Sequence, residues 1–503
     1  MARINVGILF AALLLILFQL KGSSSSPWHY ECKSGSCTKT ETTPNSSATW
    51  SFAECSIQCL EYAGLWPIPT GTTSIGNFTE ININNISLSF HNGSLVSTLV
   101  YQGFDIFLNQ IKNVNLIEKG IGSKNASSVN IKIDIVDQDL TILTLKADES
   151  YYLEINQHIE GVLNVSIQSE TYFGARHALE TLSQLIIYDD IRKRFLASKS
   201  VKISDKPIYP WRGIILDTAR NYVPIKYIKR TIKAMAASKM NTFHWHLTDS
   251  QRELYVYGDL LEQFGTEIFH MGGDEININC WNSTESLKKW MTEKGWALTK
   301  ENFIKKAWFY FQNRTVQSLY KKAGKEIPVI LWTSDLTNIE NVTRLLDKER
   351  YIIQMWSNVY DSTLENLLRN NYSVILSNYD SLYLDCGFGD FTNDDNNWCT
   401  PYKTWQQLYE NKPKNIVGSK ANYILGAEAA LWTEIADHNS MDSKIWPRAS
   451  ALAEALWSEP NFFWTEAEDR LHLHRERLVN LGVRADTLQP EWCLQHQRQC
   501  RRN

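Results

Sequence analysis

The chain has 503 residues, with 51 Lys and Arg against 55 Asp and Glu, so its formal net charge at pH 7 is −4. This length suggests two or three domains with well-filled cores. The basic residues form no stripe, which argues against a nucleic-acid-binding protein. Cys/His clusters with zinc spacing and glycine-rich phosphate loops are also missing from the sequence, so neither a zinc site nor a nucleotide site is indicated.

The first 22 residues have the character of a secretory signal peptide. Arg3 precedes an apolar run from Val6 to Leu20, and small residues follow it. The run is shorter than the roughly 20 residues that a spanning helix needs, so we expect cleavage, with an uncleaved anchor as the alternative. We therefore predict a secreted protein without a membrane anchor in its mature form. Ten Asn-x-Ser/Thr sequons fit this compartment: Asn45, Asn77, Asn85, Asn92, Asn125, Asn164, Asn282, Asn313, Asn341 and Asn371.

The nine cysteines also suit an oxidising compartment. Eight of them lie close enough in sequence to pair locally: Cys32, Cys37, Cys55 and Cys59 among themselves, Cys386 with Cys399, and Cys493 with Cys500. Cys280 is left over. An odd cysteine in a secreted protein indicates either a reactive thiol or a missing partner.

Three regions follow the signal segment. Residues 23–70 form a cysteine-bearing lead-in, residues 71–206 a small α/β domain, and residues 207–503 a larger domain. In the small domain, alternating apolar residues predict strands at Val129–Ile135, Thr141–Leu145 and Tyr151–Ile155. A helical pattern follows near Gly174–Tyr188.

From residue 207 onward, short apolar strands alternate with helices. The predicted strands are Gly213–Asp217, Thr242–Leu247, Ile268–Met271, Pro328–Trp332, Ile352–Trp356, Ser373–Leu376 and Ile424–Leu431. Repeated strand–helix units imply a parallel sheet with right-handed crossovers. This many units favours a (β/α)8-type TIM barrel, in which active residues lie at the carboxyl ends of the strands.

The most informative segment is Ile268–Glu275, in which a short strand is followed by two glycines and two adjacent carboxylates. Glycines let the backbone approach a ligand and adopt conformations that other residues avoid. Two neighbouring carboxylates do not ionise independently, so one tends to keep its proton near neutral pH. The pair Asp274–Glu275 therefore indicates acid–base chemistry, with capping of a following helix as the alternative.

Polar and aromatic residues cluster at the predicted strand ends. They are Arg212, Asp217, Asp249, Asp274, Glu275, Trp332, Trp356, Trp432 and Glu434. One tryptophan at a strand end is more often core than ligand wall. Three of them, with carboxylates and an arginine, predict a carbohydrate pocket, because indole faces stack on sugar rings.

These motifs resemble those of the β-N-acetylhexosaminidases, the family-20 glycoside hydrolases. The matching segments are Tyr172–His177, Trp211–Arg220, Phe243–Asp249, His270–Glu275, Gly426–Glu434 and Trp446–Ala449. The lead-in cysteines, Leu65–Pro67 and Asn397–Tyr402 look like the insect secreted branch that degrades chitooligosaccharides. The resemblance covers nearly the whole mature chain.

The resemblance implies substrate-assisted retaining catalysis, without a metal or organic cofactor. Glu275 would be the general acid. Asp274 would orient the 2-acetamido group of the sugar, and Tyr383 would hydrogen-bond its oxygen. The other implied roles are a box around the sugar from Trp332, Trp356 and Trp432, stacking of a second sugar on Trp398, hydroxyl binding by Arg212, Asp385 and Glu434, and support from Asp249.

The chain departs from the family in one place. Only 16 residues lie between Gln251 and Ile268, where the family has about a hundred and a whole barrel strand, and one strand–helix–strand unit takes roughly 30 residues. The family also places here a histidine that pairs with the counterpart of Asp274. The odd Cys280 fits the same loss, since its counterpart in relatives bonds a cysteine of this region. Exon skipping, a faulty gene model and true divergence all remain open.

Three functions stay in view. The first is exo-acting hydrolysis of terminal non-reducing β-linked N-acetylglucosamine from chitooligosaccharides in a secreted fluid. The second is the same chemistry on glycoprotein glycans, or in a lysosome. The third is a catalytically impaired sugar-binding protein, because a barrel missing one strand has two open edges and part of its pocket wall is lost. A homodimer is a further expectation from the resemblance.

Overall fold

The structure is a computed structural model that describes residues 28–43, 50–91, 93–113, 126–248, 261–262, 267–392 and 394–500. The predicted signal peptide and Asp249, with most of the short connection after it, lie outside the described residues. Among the described residues, no helix combines the length and the apolar character that crossing a bilayer requires.

The strands are β1 Trp28–Lys33, β2 Ser36–Glu41, β3 Thr73–Ile75, β4 Phe78–Ser89, β5 Ser127–Ile135, β6 Tyr151–Ile159, β7 Val162–Ser169, β8 Ile186–Asp189, β9 Arg194–Ser198, β10 Val201–Asp205, β11 Trp211–Asp217, β12 Thr242–His246, β13 Phe269–His270, β14 Val329–Trp332, β15 Tyr351–Met355, β16 Val374–Leu376 and β17 Ile424–Leu431.

The α-helices are α1 Phe52–Cys59, α2 Ser97–Asn113, α3 Tyr172–Gln184, α4 Ile225–Ala237, α5 Ile278–Ser283, α6 Glu285–Glu293, α7 Lys300–Asn302, α8 Phe309–Ala323, α9 Val342–Leu345, α10 Ser362–Arg369, α11 Tyr379–Leu382, α12 Trp405–Glu410, α13 Pro413–Val417, α14 Met441–Ile445, α15 Arg448–Trp457, α16 Trp464–Asn480 and α17 Glu491–Gln495. A π-helical segment, Phe303–Trp308, joins α7 to α8, and 3₁₀ turns lie at Glu61–Gly64 and Gly418–Tyr423.

Disulfides fasten the lead-in. The hairpin β1–β2 is tied to α1 by Cys32–Cys59 and Cys37–Cys55. The bonds Cys386–Cys399 and Cys493–Cys500 are also present, while Cys280 is free and exposed. The predicted local pairing and the odd cysteine are both confirmed.

The second sheet is mixed and holds eight strands in the order β3-β10-β6-β7-β5-β4-β9-β8. In β5 every second residue is buried, as expected for a strand whose one face packs on helices. The predicted strands at 129–135 and 151–155 are confirmed. The strand predicted at Thr141–Leu145 is wrong: β5 already has β4 and β7 on its two sides, and the segment forms an irregular turn.

The third sheet is parallel and holds seven strands in the order β12-β11-β17-β16-β15-β14-β13. All seven strands predicted after residue 207 are present. β11, β14, β15 and β16 are buried along their whole length, because a parallel sheet is covered on both faces. Within the described residues, β12 and β13 are the two edges and no strand joins them. The expected fold class, a TIM-type barrel short of one unit after a smaller α/β domain, is confirmed.

A buried ion pair links the two larger sheets. Glu149, just before β6, accepts from both terminal nitrogens of Arg212 in β11, at 3.0 and 2.6 Å. Glu149 also contacts His177 at 2.8 Å and accepts from Asn241 at 3.1 Å. Burial alone would raise the pKa of Glu149, but Arg212 and His177 outweigh it and lower the pKa to about 2.

We expect Glu149→Gln to lower the free energy of unfolding by about 3–5 kcal/mol, because Arg212 stays buried without a counter-charge. Urea unfolding at pH 7 measures this. Glu154→Gln is the matched control: Glu154 is a partly exposed residue of β6 that faces the exposed Lys202, so its loss should cost less than about 1 kcal/mol. Equal unfolding midpoints for the two variants would contradict the interpretation.

The same carboxyl should give a pH signature. Its folded pKa of about 2 lies below the ordinary value of 4.5, so its stabilising effect is complete above that ordinary value. The effect is lost as the pH falls from about 4.5 towards 2. Urea titrations across this window should show a smaller acid-induced loss of stability in Glu149→Gln than in the unmodified chain.

Candidate active site

The carboxylate pair stands on a glycine turn after β13. Gly272 and Gly273 have φ angles of 68° and 80°, a region that residues with a side chain rarely adopt. The Gly272 N–H donates to His270 Nδ1 at 3.0 Å, and the Gly272 carbonyl accepts from the Trp332 N–H at 3.1 Å. The turn is thus held by the strand before it and by β14. It presents Asp274 and Glu275 as exposed side chains.

His270 lies inside the sheet below this turn. Its ring is 4.4 Å from that of His244 and 4.9 Å from that of Trp332. Burial lowers the pKa of His270 well below its ordinary value, and His244 and His246 lower it further. The imidazole is therefore neutral, which leaves Nδ1 free to accept the hydrogen bond from the turn.

Aromatic rings line the space beside the carboxylates. The ring centroid of Trp332, at the end of β14, lies 6.2 Å from that of Trp432, which in turn lies 5.9 Å from the ring centroid of Tyr383. Burial raises the pKa of Tyr383, and the nearby carboxylates of Asp385, Asp274 and Glu275 raise it further. The phenol therefore stays protonated, as a hydrogen-bond donor within the electrostatic reach of both carboxylates.

Trp398 stands at the mouth of this space. Its side chain is 64% exposed, yet its ring lies 4.9 Å from Tyr379, 6.1 Å from Tyr383 and 6.4 Å from Trp356. Much of this ring is therefore accessible to a ligand, although three aromatic rings lie close to it.

A polar group made of Asp385, Glu434 and Arg220 lies beside Trp432. Burial raises the pKa of Asp385 to about 7, with a further contribution from Glu434. Glu434 lies 3.7 Å from the guanidinium of Arg220, which also packs over the Trp432 ring at 5.4 Å. A carboxyl that keeps its proton more readily than usual, a carboxylate and an arginine together can both donate to and accept from neighbouring hydroxyl groups.

The disulfide Cys386–Cys399 connects two parts of this site. It closes a loop whose flanking residues are Asp385 and Trp398. The Asn397 side chain donates to the Asp385 carbonyl at 2.8 Å inside the same loop.

Most of the predicted site residues therefore come together. Those that share this space are Asp274, Glu275, Trp332, Trp356, Tyr383, Asp385, Trp398, Trp432 and Glu434. Asp249 lies outside the described residues, so its predicted role stays a prediction.

Arg212 is not part of this space, and the expectation that it binds sugar hydroxyls needs correction. It is the second residue of β11 and thus lies at the amino end, about 17 Å of strand from the carboxyl end. Its side chain is fully buried and donates to Glu149 and to the carbonyls of Tyr209 and Lys239. The error came from assigning the residue to the wrong end of its strand.

Arg220 is the arginine that the sequence analysis missed. It follows Asp217, the last residue of β11, by three positions, and its guanidinium contacts the Asp217 carboxylate at 3.2 Å. Strand direction was the available signal, because only residues after the strand lie at its carboxyl end. Asp217 is itself buried and accepts from the backbone N–H and hydroxyl of Thr433, which fixes the loop that carries Glu434.

Comparisons with known proteins give a consistent family. The model of glycosyl hydrolase family 20, catalytic domain, matches residues 209–252 and 254–460, and a beta-acetyl hexosaminidase-like domain matches residues 65–185. A chitooligosaccharidolytic beta-N-acetylglucosaminidase of Ostrinia furnacalis is 37% identical over 588 residues, covering 98% of each chain. The protein of the same name from Bombyx mori is 37% identical over 572 residues, covering 94% of this chain and 95% of its own.

Among solved structures, the chitobiase of Flavobacterium johnsoniae superposes with a TM-score of 0.63 at 22% identity. The match covers 84% of this chain and 73% of that chain, and it supports the fold.

The comparisons also bear on the short connection after β12. Since 98% of this chain is about 493 residues, about 95 of the 588 positions aligned with the Ostrinia protein have no counterpart here. The family match is interrupted at residue 253, inside the interval between Gln251 and Ile268. Both observations agree with the predicted internal deletion. This chain is 37% identical to each of the two insect enzymes over nearly its whole length, and its residues 209–252 and 254–460 match the catalytic-domain model. The chain therefore belongs to glycosyl hydrolase family 20.

Proposed function

We propose that this protein removes terminal, non-reducing β-linked N-acetylglucosamine from chitooligosaccharides as an exo-acting glycosidase. One observation carries the proposal: the carboxylates of Asp274 and Glu275 lie close enough to Tyr383 to raise its pKa. The indole rings of Trp432 and Trp332 lie next to this tyrosine in turn. The two insect relatives named above carry the matching activity in their names.

Each reacting group has a candidate partner. Glu275 donates its proton to the glycosidic oxygen as the bond to the anomeric carbon breaks. The carbonyl oxygen of the 2-acetamido group attacks that carbon. The Asp274 carboxylate stabilises the positive charge that develops on the acetamido nitrogen, and the Tyr383 hydroxyl donates a hydrogen bond to the acetamido oxygen. Water then opens the cyclic intermediate, with Glu275 as the base, and the anomeric configuration is retained.

We infer exo action from the polar group beside Trp432. Arg220, Asp385 and Glu434 lie together against Trp432, and we assign them to the hydroxyls of the terminal sugar. These groups favour a chain end over a position within a chain, because a further sugar would replace one of the hydroxyls that they bind. The exposed ring of Trp398 suits the second sugar of a chitooligosaccharide.

We infer secretion from the signal-like residues 1–22, the sequons and the four disulfides. A lysosomal location and glycoprotein glycans as substrates are the alternatives. A homodimer is proposed from the family resemblance, and light scattering of the purified chain tests it.

A second candidate function is sugar binding with little or no turnover. It is favoured by the exposure of Asp274 and Glu275 and by the parallel sheet, whose seven strands do not close into a barrel among the described residues. Water that reaches both carboxylates weakens their electrostatic effect on a developing charge.

The open edge gives a prediction for the unmodified chain. We expect its kcat/KM on chitobiose to be at least about tenfold below that of the Ostrinia relative, because an exposed site loses part of its electrostatic stabilisation. Side-by-side initial rates at one pH measure this. Equal rates would show that the missing segment is dispensable. Sequencing the transcript between the codons for Asp249 and Asp274 shows whether the short connection is encoded.

Glu275→Gln separates the two candidate functions. If Glu275 is the general acid, kcat on chitobiose should fall at least about 100-fold while affinity for N-acetylglucosamine changes little, since the amide keeps the shape but cannot donate a proton. Glu285→Gln on α6, an exposed residue, is the matched control and should leave kcat unchanged. If the unmodified chain shows no turnover but binds the sugar, the second function stands.

Trp398→Ala tests the substrate class. We expect KM for chitobiose to rise about 5- to 50-fold, because the stacking face for the second sugar is lost. Activity on an aryl N-acetylglucosaminide should change much less. Trp492→Ala, at another exposed tryptophan, serves as the control. A larger loss on a branched N-glycan than on chitobiose would favour glycoprotein glycans as the substrate.

A further inference from the structure

A second cavity lies where three parts of the chain meet. Its volume is about 280 Å³, and its walls come from α1 of the lead-in, from α2, α3 and β8 of the small domain, and from α16 of the barrel domain. None of the described residues that line it belongs to the sugar site. It is therefore a separate space, formed by the packing of the small domain and the lead-in on the last long helix.

Most of the wall is apolar. The largest apolar side chains that line the cavity are Phe52, Ile57, Ile187, Phe195 and Leu481. A wall of this kind favours the apolar body of a ligand over water, because water loses hydrogen bonds there.

Three buried polar atoms in this wall have no hydrogen-bond partner among the described residues. They are Ser56 Oγ, Gln110 Oε1 and His474 Nδ1, on side chains that are each at least nine-tenths buried. The other polar atoms of two of these side chains are engaged: Gln110 Nε2 donates to Glu180 at 3.0 Å, and His474 Nε2 contacts Ser238 Oγ at 2.9 Å. Rotating the Gln110 amide would set its oxygen against a carboxylate, so its acceptor stays unmatched.

The ionic groups of the wall are, by contrast, already partnered. Glu180 accepts from Arg176 at 3.2 Å, and Glu476 accepts from Arg475 at 2.7 Å. Arg477 donates to a backbone carbonyl at 2.9 Å and to an amide oxygen at 3.1 Å. An ammonium group would lie close to the Arg477 guanidinium, whose hydrogen-bond partners in the described part of the chain are uncharged oxygens, and a carboxylate has no proton to donate to the Gln110 carbonyl oxygen. The three wall atoms without a hydrogen-bond partner among the described residues can instead be satisfied by an uncharged group that donates and accepts.

We propose that this cavity binds a small uncharged amphiphile, with an apolar body of about eight carbons and a hydroxyl group. A hydroxyl both accepts and donates, so it matches the Ser56 hydroxyl and the Gln110 carbonyl. The size fits, since an apolar cavity of about 150 Å³ already takes up benzene. A molecule held here touches the lead-in, the small domain and α16 at once, so its binding stabilises their packing.

Calorimetric titration of the full chain with 1-octanol tests the proposal. We expect saturable binding of one molecule per chain and a raised Tm. Octanoate and octylammonium, of the same length but charged, should bind at least about tenfold more weakly. Absence of saturable binding, or equal affinity for octanoate, would overturn the proposal.

Two variants localise the site. Gln110→Met removes the unmatched acceptor and should weaken octanol binding about fivefold. Gln58→Met makes the same exchange at an exposed position of α1 and should leave the affinity unchanged. Ala53→Phe fills the cavity and should abolish binding; if that variant does not fold, the comparison of the two glutamine variants still decides. Equal affinities in these two would refute the assignment.

Discussion

The pair of Glu149 and Arg212 is a buried contact that holds the two larger sheets together, alongside the buried pair of Asp205 and Lys239. It places a carboxylate from the eight-stranded sheet against the second residue of β11, the strand next to the edge of the barrel sheet. Two buried charges are favourable together only when both are fully hydrogen-bonded, and both are here. The amino end of β11 is thereby fixed, and the site is built from its other end.

The opposite constraint is the lack of closure. In a complete barrel every strand is held by two neighbours, whereas β12 and β13 each have one within the described residues. β13 is only two residues long, yet it carries the turn with both carboxylates. The acid of the proposed reaction therefore lies after the least supported strand of the sheet, while the tryptophans that we propose to hold the sugar lie at the ends of better supported strands. Sugar binding is expected to survive the deletion better than catalysis.

The sequence predicted the fold well because its signals were local. Each strand of the parallel sheet is a short apolar run, and the eight paired cysteines are neighbours in sequence. The same strand ends and the family motifs also singled out the nine residues that share one space beside the Asp274–Glu275 turn, while their roles stay a prediction. The prediction for Arg212 was wrong because it depended on a contact between residues far apart in sequence. Arg212 pairs with Glu149, which lies 63 residues away, and its own motif does not indicate this partner. The cavity beside α16 was equally invisible, because its walls come from segments far apart in sequence.

The loop closed by Cys386 and Cys399 has a consequence for where the protein can work. It joins Asp385, assigned to the terminal sugar, to Trp398, assigned to the next one. Breaking the Cys386–Cys399 bond would therefore release Asp385 and Trp398 together, so both proposed contacts with the substrate would be lost in one step. In a reducing compartment the chain would bind its proposed substrate poorly, and both contacts would form only where the disulfide is oxidised.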